Sequence, residues 1–457
     1  MAWTINNGKL YFNSVIYTGD GASTLAITGV GFQPDWTWIK CRTISHNHVL
    51  SDIVRGATKI LGSNQTAVES TQTAGLKSFN TDGFTLGNWD NVNDASDPSV
   101  SWNWSAAGAT PSNTYVVKVV SDTGNKYRFD DFGTSAVTLE ISEGGTFTFD
   151  QSDSSNNGHP LRFATQADGA NSSQYTTGVT TNGTPGQAGA YTRITVAASA
   201  PTLFYYCTNH SGMGGQANTP ITNSFSNFSG SIQTNISPNT TSGFSIVKYQ
   251  GTGANATVGH GLGSVPKMIF FKSLTNAISW IVYSSELNIS SSNCLRLNGT
   301  NAAFTESAWN DTRPTTSVFS LGPHNEANNN SGETIAYCFS EKQGFSKMGS
   351  YTGNGNADGT FVYTGFKPAF AMFKDTTSTR DWTMLDNKRN TFNVLDKRLF
   401  PNNNDAEDDT DILDFTSNGI KIRSTNTSVN VSGNKYIYMA FAENPFTSST
   451  GTPVTAR

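Results

Sequence analysis

The chain has 457 residues, of which only 14% are charged and 11% aromatic, with 43 glycines, nine tryptophans and a net charge of −5. Its length fits about three domains, and its aromatic content argues against a disordered chain. The sequence has no Lys/Arg run and no stretch of about 18 apolar residues, so neither a nucleic-acid partner nor membrane insertion is expected.

Met1-Ala-Trp-Thr-Ile-Asn opens without the basic start and apolar stretch of a secretory signal. Four cysteines, Cys41, Cys207, Cys294 and Cys338, form no C-x-x-C pair, so no disulfide framework is expected. Abundant Thr, Asn, Gly, Tyr and Phe suit short strands joined by tight turns.

Three stretches share one order of landmarks, the signature of an internal repeat. Each opens on Tyr and a glycine-rich turn at Tyr17, Tyr249 and Tyr351. A Pro then leads an apolar strand ending in Lys: Pro34 to Lys40, Pro266 to Lys272, Pro368 to Lys374. Asp52 with Arg55 is echoed by Asp386 with Arg389, which predicts an internal ion pair or turn staple. An Asn/Thr-rich turn ends at Glu69, Glu306 or Glu407, and an aromatic strand closes each unit at Trp102, Tyr337 and Tyr436. Helical turns are expected to be brief, for example around Asp52 to Ile60. Tyr115 to Val120 reads as a strand buried on both faces.

Units two and three follow closely, whereas a segment intervenes between units one and two. The expected division is 1–110 for unit one, 111–220 for the insertion, 221–348 for unit two and 349–457 for unit three. Evenly spaced short strands with turn signals make the fold class all-β, built of sandwiches.

The insertion carries His159, then Cys207, His210 and Met213 in a C-x2-H-x2-M run. A thiolate and two imidazoles with a weak axial thioether form a type 1 copper set, so these four are the candidate metal ligands. The bland alternative is a small buried Cys and a gap-filling Met with no metal. Met213, the strand Phe204-Tyr-Tyr-Cys207 and Gly214-Gly215 make the segment resemble a cupredoxin, which implies a Greek-key sandwich and copper.

The repeats carry Tyr351-Thr-Gly-Asn-Gly, Gly365-Phe-Lys-Pro368, Leu385-Asp-Asn-Lys-Arg389 and Ala440-Phe-Ala-Glu-Asn-Pro-Phe446. On these motifs they resemble a domain of structural proteins of marine, cyanophage-like tailed phages. That domain is described as concanavalin A-like, a jelly-roll sandwich similar to lectins. The resemblance implies a non-enzymatic virion protein, assembled in the host cytoplasm and released by lysis. It would act as a tail-fibre or appendage subunit, or as a capsid decoration. Expected partners are other virion proteins, host-surface polysaccharide and further copies of the chain.

Trp36, Trp38, Trp102, Trp104, Trp280 and Trp382 are read as core before sugar platform, because alternating strands must bury one face. The acidic run Asn402 to Asp411 lacks EF-hand spacing, so a solvated loop is expected before a calcium site. No motif fixes two acids at a glycosidase separation, and His260 and His324 stand alone among turn residues. No catalytic residues are assigned.

Overall fold

The computed structural model describes residues 5, 7–108, 110–291 and 293–442. The Glu443 to Phe446 part of the last motif lies outside the described residues. The fold is all-β and multi-domain, built of sandwiches.

Each repeat builds one four-stranded antiparallel sheet in the order first, last, second, third. In unit one these strands are Phe12–Thr18, Pro98–Trp104, Trp36–Cys41 and Val49–Asp52. Unit three uses Ser346–Thr352, Lys435–Ala442, Pro368–Asp375 and Thr383–Asp386 in the same order. Unit two uses Phe244–Gln250, Glu333–Phe339, Met268–Ser273 and Ile281–Ser284, and continues through Asn293–Arg296. Thr234–Asn239 and Phe225–Asn227 extend its opposite edge, so the 221–244 stretch belongs to this sheet.

The central strands are buried on both faces, as in Trp36–Cys41, Met268–Ser273 and Pro368–Asp375. This explains their near-continuous apolar runs, a pattern otherwise typical of parallel sheets. One face of each sheet packs on an outer sheet of its own unit, of three, two and four strands in units one, two and three. The other faces of all three meet in one shared core. Residues at matching register positions, Trp104, Phe339 and Phe441, touch there pairwise, with ring centroids 5.8, 6.0 and 6.4 Å apart. The three units thus surround a pseudo-threefold axis.

Matched hydrogen bonds close the ring. Trp280 Nε1–H donates to Gly62 O and Trp382 Nε1–H to Arg296 O, both at 2.9 Å. At the third seam the matching residue is His48. Its Nδ1 accepts from Trp38 Nε1 at 2.8 Å, so its Nε2 carries the proton and donates to Phe400 O at 3.0 Å. The main chain repeats the pattern: Glu69 N bonds Leu274 O, Ala303 N bonds Thr376 O, and Glu407 N bonds Arg42 O. Ala303, not Glu306, is therefore the unit-two counterpart of Glu69 and Glu407. Glu306 instead lies 3.5 Å from His324.

The insertion forms two five-stranded sheets from strands between Ser112 and Asn218. Its core continues into that of unit two through Phe225, Phe228 and Ile232. Strand Ser112–Ser121 differs from its reading. Tyr115 and Val117 are buried but Val116 is 42% exposed, because only one face of this sheet packs on the core.

No helix forms at Asp52 to Ile60, where Asp52 and Arg55 make a turn. Among the described residues the α-helices are Asp90–Asn93, Asn325–Asn328 and Thr427–Asn430. Each ends on a buried Asn whose amide ties the opening glycine turn to the rest of its unit. Asn430 Nδ2, for instance, donates to Asn354 Oδ1, Asn356 O and Ser424 O. The opening tyrosines donate to the preceding residue of each helix: Tyr17 to Val92 O, Tyr249 to Ala327 O and Tyr351 to Val429 O.

Candidate metal centre

Strand Leu161–Ala164 pairs antiparallel with Leu203–Cys207, placing Leu161 opposite Cys207. This register carries the turn before Leu161, and with it His159, to the end of the strand where Cys207 sits. The next loop brings back His210. Gly214 allows that loop to fold over the strand, since a Cβ there would lie 1.7 Å from Tyr205 O.

The Cys207 Sγ lies 3.8 Å from His159 Nδ1 and 3.7 Å from His210 Nδ1. The three donor atoms fall within 4.8 Å of one another. Metal–nitrogen and metal–sulfur bonds of about 2.0 and 2.3 Å, opened to a trigonal angle, separate N from S by roughly 3.7 Å. The distances and the donor chemistry therefore fit one soft first-row ion. Cys207 is 4% exposed and Met213 1%, while His159 is half-buried and His210 exposed. Burial, then the neighbouring His210, lowers the His159 pKa below its usual 6.5, which favours the neutral, ligating imidazole.

Surrounding groups hold the loops. The His159 carbonyl accepts from Tyr127 OH at 2.9 Å and Gln151 Nε2 at 2.8 Å. Tyr127 N–H donates to Met213 O at 2.9 Å. Asn209 Nδ2 reaches Gly158 O at 2.9 Å. Gly212 N–H donates to the Asp168 carboxylate, and its carbonyl accepts from Lys126 Nζ.

The other sequence candidates are structural. All six tryptophans singled out are at most 2% exposed, so none offers a ring to a sugar. Arg55 is ion-paired with Asp52, and Arg389 with Asp386 at 2.6 Å. The acidic run is not a free loop. Glu407 is held by Arg42 at 2.7 Å and Arg389 at 2.9 Å, and Asp408 and Asp409 pair with Arg398 and Lys397 across adjacent strands. His260 is buried and bonded at both ring nitrogens, to Thr315 O and Leu262 N. Glu140 and Glu333 line one open groove, but Glu333 is paired with Lys248 at 2.8 Å and Glu140 accepts from Asn218.

The lysines that end the Pro-led strands served as repeat landmarks in the sequence, but their burial was not expected. Lys272 Nζ donates to Thr66 O, Ser273 O and Ile278 O, and Lys374 Nζ to Thr300 O and Asp375 O. Each thereby reaches into the preceding unit, and burial lowers both pKa values to about 8. Their recurrence six positions after a Pro was the available signal.

A family described as a domain of unknown function, DUF7483, matches residues 7–127 and 216–445. The chain belongs to that family. The unmatched interval, 128–215, holds all four candidate ligands. No curated protein and no solved structure matches the chain.

Proposed function

We propose that this member of the DUF7483 family is a non-enzymatic structural protein of a tailed-phage particle, exposed at the surface as a tail-fibre or appendage subunit. Its work is contact with neighbouring virion proteins and with the host surface. One observation carries this reading: the repeats place their conspicuous polar and aromatic side chains in seams and core. The Asp–Arg pairs, the caged lysines and the six tryptophans all hold one unit to itself or to the next. A rigid framework whose end loops are free to change while the core holds them suits attachment better than turnover. Quantitative mass spectrometry of purified particles should find the chain at fixed stoichiometry, and its absence from particles would remove the proposal. Labelling on the head instead of the tail would favour a capsid-decoration role.

A second reading has its own observation, the convergence of Cys207 Sγ with both Nδ1 atoms. On this reading His159, Cys207 and His210 hold a single copper ion, with Met213 as the distal thioether. Bound copper would supply one-electron redox capacity and, through its affinity for the folded form, added stability. The chain's own part is to present a thiolate and neutral imidazoles on loops already tied by Asn209, Asp168 and Lys126. Adding Cu(II) should produce an intense thiolate-to-metal absorption band in the parent and none in Cys207→Ser. A colourless parent with no bound copper after dialysis would reject this reading.

A further inference from the structure

Aromatic side chains are rare on the surface of this chain. Among the described residues the exposed ones are Phe361 at 45%, Tyr363 at 60% and Phe392 at 83%, all in unit three. Phe361 and Tyr363 share one short strand, whose middle residue, Val362, is buried in that unit's core. Alternation therefore sends both aromatics to the solvent side of the outer sheet, roughly 7 Å apart along the strand. Phe361 lies across Gly419 of the neighbouring strand, its Cζ 2.7 Å from where a Cβ would stand. Glycine at that position leaves room for the aromatic to rest on the sheet.

The repeat supplies its own comparison. Strand registers set Ala26, Thr257 and Phe361 at one position, and Thr28, Gly259 and Tyr363 at another. Units one and two pair the same strands without an aromatic at either place, so the fold does not demand the pair. Large exposed apolar groups with no structural task mark a contact site. What lies beside them is polar. Lys421, opposite Phe361 in the register, pairs with Asp358 at 2.6 Å. Next to Tyr363 runs a groove of about 330 Å³ lined by Glu341, Gln343, Ser346, Lys347 and Thr364. Lys347 Nζ stands 3.5 Å from Glu341 Oε2, and Gln343 is exposed.

An ammonium donor, an amide and a carboxylate acceptor around exposed aromatics match the chemistry of a sugar. Its C–H groups cover the negative face of an aromatic, while its hydroxyls both donate and accept. A protein partner fits less well, since a stable interface takes about 800 Å² on each side, and two aromatics flanked by charges offer no apolar core of that size. We propose that the outer sheet of unit three is a carbohydrate-binding face. Phe361 and Tyr363 each carry one pyranose of a polysaccharide chain, and Glu341, Gln343 and Lys347 bind hydroxyls of the sugar at Tyr363. Pyranoses whose ring hydroxyls are all equatorial are preferred, because both their faces are apolar. This gives a chemistry to the host-surface contact of the preceding section, and rests on that reading only for the source of the sugar.

The probes are soluble hexasaccharides of β-1,4-linked glucose and of β-1,4-linked mannose, titrated against the full chain by calorimetry. The glucose form should saturate a single site and bind more tightly than the mannose form, whose 2-hydroxyl is axial. Phe361→Ala/Tyr363→Thr installs the residues of unit one, so its thermal melt should match the parent's. Its binding should be about ten-fold weaker, the size of two lost aromatic contacts, and Lys347→Ala should weaken binding by a smaller factor. Failure of both sugars to saturate, or equal binding by Phe361→Ala/Tyr363→Thr, would overturn the proposal. So would self-association of the parent that this variant abolishes, because a second copy would then be the occupant. None of these results touches incorporation into particles, and absence from particles would leave sugar binding standing.

Discussion

Acid should open the ring at one seam first, the one between units one and three. Trp280 and Trp382 bind their neighbours through indole N–H groups that do not titrate, whereas His48 does the same work with an imidazole. Burial, and then the charge of Lys40, push the His48 pKa from 6.5 down to about 3. Protonation would put a second N–H at Nδ1, against the Trp38 N–H that now donates there. A pKa lowered in the folded state means the unfolded chain takes up the proton first. The stabilising effect of neutral His48 is thus complete above about pH 6.5 and is lost progressively as pH falls towards 3. At pH 5 the chain is about 1.5 units below the unfolded value, and at 1.36 kcal/mol per unit this is a loss of about 2 kcal/mol. His48→Gln keeps a donor for Phe400 O and an acceptor for Trp38 but cannot titrate. Urea unfolding followed by tryptophan fluorescence at pH 7 and pH 5 should show the parent losing about 2 kcal/mol more than the variant. Comparing the two cancels other titrations, including that of Asp35, which runs the opposite way. Equal losses in both proteins would refute the reasoning.

Asp35 is buried, and burial raises its pKa from 3.8 to about 6 despite N–H donors from Ala106 and Gly108. The folded chain therefore binds this proton more tightly, and stability is gained as pH falls from about 6 towards 3.8; Asp35→Asn should abolish that gain in the same urea series. Arg55→Leu alone strands the buried Asp52 carboxylate and should cost about 3–5 kcal/mol. Unit two carries Ser284, Leu287 and Ala303 at these positions, so Asp52→Ser/Arg55→Leu/Glu69→Ala should recover most of the loss in thermal melts. Asn430→Ala leaves Asn354, Asn356 and Ser424 without a shared donor and should cost about 1–3 kcal/mol. Hydrogen exchange should then speed up in the turn around Asn354 while the Lys435–Ala442 strand stays protected.

What could be seen in the sequence was whatever repeats locally. The opening tyrosines, the Pro-to-Lys strands and the Asp–Arg turns recur with their spacing intact, and each proved to be a structural position. The candidate ligands were visible because three of them share one short run and their types are unusual together. Ring closure was not visible. The bonds from Trp280 to Gly62 and from Trp102 to Asp386 span 218 and 284 positions, and no local pattern encodes them. Unit two also hides its kinship at the buried ion pair, where Ser284, Leu287 and Ala303 replace Asp, Arg and Glu. That substitution drew the alignment to Glu306. Val116 misled because a β-branched run looks the same whether one face or both are covered.

Because the three sheets belong to a single polypeptide, their assembly has no concentration dependence. A ring of separate subunits would fall apart on dilution. Here the neighbours are tethered, so the partner of each seam is always present at high effective concentration. Covalent linkage also frees the three copies from having to be identical. One can host a guest domain, and another can trade an ion pair for aliphatic packing. Neither change is forced on the other two.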